Sequence, residues 1–201
     1  MSNEKINPGF IVLLLFIMLA AAMRVPNAAQ VTPWAMFSPI GAIALFGGAY
    51  FTSTWKKFVF PLLALFLSDV MISQLVFNGK HGFLYGGWYW IYGIFAAIIF
   101  LGGLLLKKVS VKHVLLASIS AALLHWALAD FTVWAGGGTD LRTGLPLTRD
   151  WSGLAQCYVQ GFPFMQNFLA GTLGYGALLF GGFEWLKKVH PALAFNTSTG
   201  L

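Results

Sequence analysis

Asp69 and Asp130 are the residues from which chemistry is most directly argued, because each interrupts a long apolar run. A carboxylate exposed to lipid at that depth costs ~2.5–3.5 kcal/mol, so Asp69 must face the interior of a helix bundle. There it serves either a ligand or a structural hydrogen bond, with Ser68, Ser73 or helix-end amides as partners. Trp126, Asp130 and Trp134 recur at i, i+4 and i+8, which puts two aromatic rings and a carboxylate on one helix face. His125 neighbours that stripe without belonging to it. Gln166 and Asn167 follow Pro163 and offer neutral donors and acceptors, suited to a neutral polar ligand or to capping a helix.

Three further groups add to the candidates. The string NGKHGFLYGGWYW at 78–90 combines glycines with His81 and Tyr85, the composition of a gate or ligand clamp and equally of a turn followed by interfacial aromatics. The arginines are Arg24, Arg142 and Arg149. Their planar donors suit an anionic or amide-rich partner, or simple salt bridges to Asp140 and Asp150. Tyr158 lies in an amphipathic stretch from Trp151 to Phe162.

The elements that must position these groups are transmembrane helices. Of 201 residues, 58% are hydrophobic and 9% charged, too little polar character to cover a soluble domain. Apolar runs predict helices over about 9–23, 38–52, 57–77, 88–106, 112–134 and 164–186, most near the ~20 residues that cross hydrocarbon. An all-α bundle of six transmembrane helices in one domain, 1–201, follows. Lysines at 5, 56–57, 107–108, 112 and 187–188 fall at alternate ends, so the positive-inside rule makes that side and both termini cytoplasmic. The outer loops are then 24–37, 78–87 and 135–163, and all three arginines lie in them. The first run, with Ala20 to Ala22, resembles a signal peptide but completes the topology as an uncleaved helix. Small residues at helix-packing spacing, such as Ala117 with Ala121 and Ala170, Gly174, Ala177 and Gly181, suit close contact within the bundle or with a partner.

Several classes are set aside. The net charge of +6 comes from lysine clusters beside apolar runs, which topology explains without nucleic acid. One cysteine, Cys157, allows no internal disulfide, and no Cys/His cluster has zinc spacing. There is no phosphate-binding glycine loop, HExxH or GxSxG, so the expectation is a protein that is not an enzyme and has no cofactor of its own.

RVPN at 24–27, FSPIGAIALFGGAYF at 37–51, FPLLALFLSDVMI at 60–72 and the block GLAQCYVQGFPFMQNFLAGTLGYGALLFGGFE at 153–184 carry a likeness over most of the chain. It resembles the substrate-binding (S) components of energy-coupling-factor vitamin transporters, and among them the solitary cobalamin-specific S-components of Gram-negative bacteria. The resemblance implies vitamin uptake across a bacterial inner membrane, with a corrinoid bound in an outward-facing pocket, either by the chain in the solitary mode or with an ATP-hydrolysing coupling module as partner. The first helix departs from the pattern, since contiguous Ala20-Ala21-Ala22 replaces the spaced alanines used for docking on that module. The outer loop between the third and fourth helices also lacks the cysteine that resembles the cobalt ligand in the cobalamin branch. His81 is the comparable donor there. The expected substrate-binding set is Arg24, Asp69, His81, Tyr85, Asp130, Trp134, Arg142, Arg149, Tyr158 and Asn167, with His81 reaching cobalt.

Overall fold

A computed structural model describes residues 8–25, 37–80 and 82–191. The described chain is helical: α1 Pro8–Ala22, α2 Ile40–Tyr50, α3 Thr54–Met71, α4 Trp88–Leu105, α5 Val111–Ala135 and α6 Trp151–Val189. Three segments are long and apolar enough to cross a membrane, namely α3 with its continuation (Thr54–Val76), α4 and α5. Much of the outward surface of these helices is apolar, with Phe100, Leu104, Leu115, Leu116, Ile119 and Leu123 exposed. Such a face is stable against lipid and unstable against water.

The short helix α2 organises the rest. Ten of its eleven residues are buried, and it packs against all five other helices. At 1.5 Å per residue it is only about 16 Å long, so its role is to be a core strut. Glycines on α2 and α4 let the two helices approach at backbone distance: a Cβ on Gly48 of α2 would collide with the carbonyl of Ile99, and one on Gly102 of α4 would come within 2.8 Å of the carbonyl of Leu45. Small residues therefore set how tightly α2 and α4 pack.

The two ends of the bundle differ. Around the carboxyl end of α2, Phe46, Tyr50 and Phe183 meet with ring centroids 4.7–5.7 Å apart, Phe180 closes the group, and the space is filled. Here Tyr50 donates a short hydrogen bond to Glu184, whose carboxylate also pairs with Lys187 at 2.6 Å. Lys56, Lys57, Lys107, Lys108, Lys112 and Lys188 flank the same end, while Lys80 sits in the loop at the other. Exposed tryptophans mark both ends, Trp55 and Trp185 beside the lysines, Trp88, Trp90 and Trp151 opposite them.

Two elements depart from the sequence-based expectation. The stretch from Trp151, expected to lie in an outer loop ending at 163, is the first third of one 39-residue helix. Asp150 starts it by accepting a hydrogen bond from the Gly153 amide at 2.8 Å, and Pro163 is absorbed within it. The connection shrinks to 136–150. Helix α3 also changes pitch, continuing as a π-helix over Ile72–Val76. Ser73 of that turn donates to the Gly82 carbonyl at 2.7 Å and so ties the 77–87 loop to the helix end. As for the small-residue stripes, Ala117 and Ala121 are fully buried inside the bundle, whereas Ala170, Gly174, Ala177 and Gly181 lie on the exposed face of α6.

Candidate ligand-binding site

At the end away from the lysine pairs, where α1, α3 and α5 finish and α2, α4 and α6 begin, the helices splay around a cavity of about 730 Å³. Its size lies within the 300–1,000 Å³ of ligand sites, and its wall is mostly apolar with a few polar groups, the usual composition of such sites. The helices supply it unequally: α5 and the first half of α6 form one side, α3 with its π-turn the other, and α4 adds Ile91 and Phe95.

The connected polar network lies on the α3 side. Arg24, just past α1, folds inward and pairs with Asp69 at 2.7 Å, although the two lie 45 positions apart. Its Nη1 also donates to the Ser68 hydroxyl and to the Leu65 carbonyl at 3.4 Å. Asp69 is 5% exposed. Its second carboxylate oxygen accepts from Tyr92 at 3.1 Å and, more distantly, from Tyr85 at 3.5 Å. Burial first, and then the Asp69 charge, push the Tyr85 phenol well above its ordinary range, so it remains a proton donor. The carboxylate thus has three donors around it, Arg24, Tyr92 and Tyr85, and Arg24 has no net charge to spare.

On the opposite side Asp130 stands alone. Its Oδ2 is buried without a hydrogen-bond partner and rests against Gly161, where any Cβ would overlap the carboxylate. Trp126, one turn earlier, also lines the cavity and fixes its indole by donating to the Tyr158 carbonyl at 3.2 Å. His125 lines it too, stacked on Phe168 with ring centroids 4.4 Å apart.

Of the residues expected to bind substrate, Arg24, Asp69, Tyr85 and Asp130 therefore share one cavity. Five others lie outside its wall. Trp134 donates to the Thr148 carbonyl, Tyr158 to the Ala127 carbonyl, and Asn167 is on α6 beyond the lining. Arg142 is held by Asp140 at 2.9 Å, and Arg149 is in the connection before α6. The Arg142 guanidinium keeps the Asp140 carboxyl below its usual range, the ordinary behaviour of a paired loop carboxylate. His81 is outside the described residues. The expected set left out His125, which was noted beside the stripe, and Cys157, and passed over Ser38 and Gln160; all four line the cavity. A polar residue on the same helix as Trp126 or within one turn of Gly161 was the available signal.

A family model described as a family of unknown function, DUF6580, matches residues 4–193. The chain belongs to DUF6580. No curated protein matches this DUF6580 chain, and no solved structure does. Among its described residues no three His, Cys, Asp or Glu side chains come together as a metal site.

Proposed function

We propose that this chain is a multi-pass protein of a bacterial inner membrane that binds a vitamin-class small molecule from the outer side. The observation that carries the reading is the 730 Å³ cavity at the end without lysine pairs, since a scaffold that only packed against partner helices would fill that space. The bundle crosses the membrane six times with both termini cytoplasmic, α2 and its flanks counting as the short span. The lysine pairs mark the inner side and two rings of tryptophan mark the interfaces. Helix α6, about 58 Å long at 39 residues, exceeds the hydrocarbon thickness and carries the cavity wall into the outer headgroup region.

Likeness to S-components supplies the substrate class, with cobalamin or a related corrinoid first and uptake as the outcome. Energy then comes either from a coupling module with ATPases or from the solitary mode. The cavity volume favours a smaller vitamin or a queuosine-like precursor as the second reading. At about 730 Å³ the cavity lies within the range of sites that take compact small molecules.

The test is the visible spectrum of purified protein mixed with cobalamin, for wild type and His81→Ala, from pH 5 to 8. Expected is a bound spectrum in wild type with an imidazole-dependent component. That component fades as His81 is protonated, below its free value of about 6.5 because cobalt competes with the proton. Identical spectra would remove His81 from the metal. Absence of binding would remove cobalamin, and a panel of smaller vitamins screened by thermal shift would then decide the reading.

A further inference from the structure

We infer that the cavity selects a ligand that presents a cationic nitrogen, an ammonium or amidinium group, to Asp130. The inference rests on the binding reading above and adds the chemistry of the ligand. Two aspartates and one arginine line the cavity, and the arginine is fully engaged by Asp69, Ser68 and Leu65 at one side. Asp130 is the formal charge left over. It takes no part in any ion pair among the described residues; its Oδ2 is buried against Gly161 without a donor, and the carboxylate lines the cavity. A carboxylate held so in an apolar wall is stabilised by whatever cation or donor enters beside it. Trp126, on the same helix face one turn away, adds an aromatic ring to which a cation is also attracted. An anionic ligand meets the reverse conditions, with Asp130 repelling it and Arg24 already neutralised.

The experiment uses three probes that share one ring: tryptamine, indole-3-propionamide and indole-3-propionate. Each is titrated into the full chain in detergent and followed by saturation-transfer NMR, with an Ala129→Trp variant that places an indole in the cavity one residue from Asp130 as the control for location. Tryptamine is expected to bind at least tenfold more tightly than the propionate, with the amide between them, and Asp130→Asn is expected to erase the difference. Equal binding of tryptamine and propionate by wild type overturns the inference, and so does a preference that survives Asp130→Asn. The wild-type ranking is decisive by itself if the variant does not fold. Probes that bind the cavity without charge preference overturn this inference alone. Failure of all three to bind, or binding undiminished by Ala129→Trp, contradicts the binding reading too.

Discussion

Replacing Asp69 by Asn leaves the Arg24 guanidinium without its counter-charge in a site where the two side chains are 3% and 16% exposed. Breaking one half of such a buried pair costs about 3–5 kcal/mol, because the survivor is a desolvated charge. Asp69→Asn and Arg24→Gln should each lower the unfolding free energy in detergent by that order, and the double variant should lose clearly less than the sum. Additive losses would mean that the two act separately. Neither spacing nor periodicity could have joined these residues. Asp69 declares itself by depth in an apolar run, whereas Arg24 reads as a loop cation, and only the fold brings positions 45 apart together. The stripe of Trp126 and Asp130 was legible because helical geometry is local; its third member, Trp134, is on the stripe but gives its indole to the Thr148 carbonyl and not to the cavity.

Helix boundaries follow the same division. Five helices were readable to within about three residues from hydropathy, since lipid imposes a length on an apolar run. The start of α6 was not. Gly153, Gly161 and Pro163 are loop signals in isolation, and the two glycines have tertiary reasons here: Gly153 sits against Thr148, and Gly161 against Asp130. Asp150 is expected to hold this start, so Asp150→Ala should raise amide exchange over 151–157 and leave exchange in α5 unchanged. Hydrogen bonds from the Gly153 amide and Thr148 hold the Asp150 carboxyl below its ordinary value. Its contribution is therefore complete above the unfolded value of about 3.9 and is lost as pH falls through the lower folded one. Exchange over 151–157 should be flat from pH 7 to 5, after correction for intrinsic rates, and rise only in stronger acid. Gly48→Ala probes the other close contact. With a backbone carbonyl in the way, α2 and α4 must separate, at about 1–3 kcal/mol, the usual cost of overpacking. An unchanged unfolding midpoint would show that α2 is not the strut described.

The bundle as a unit is closed at the lysine end and open at the other, and that asymmetry gives it a direction. Single cysteines at Lys80 and Arg149, in a Cys157→Ser background, should react with an impermeant maleimide added to intact cells, whereas one at Lys57 should not. Labelling at Lys57 alone would invert the molecule and place the cavity inside. What the opening is for is decided by what it holds. The most direct measurement is native mass spectrometry of the purified chain, wild type beside Ala129→Trp, the indole being large enough to occupy the space between α5 and α6. A discrete small molecule retained by wild type and lost from an equally stable Ala129→Trp variant is the predicted result. Retention by neither, or by both alike, would contradict a ligand-binding cavity at this end of the bundle.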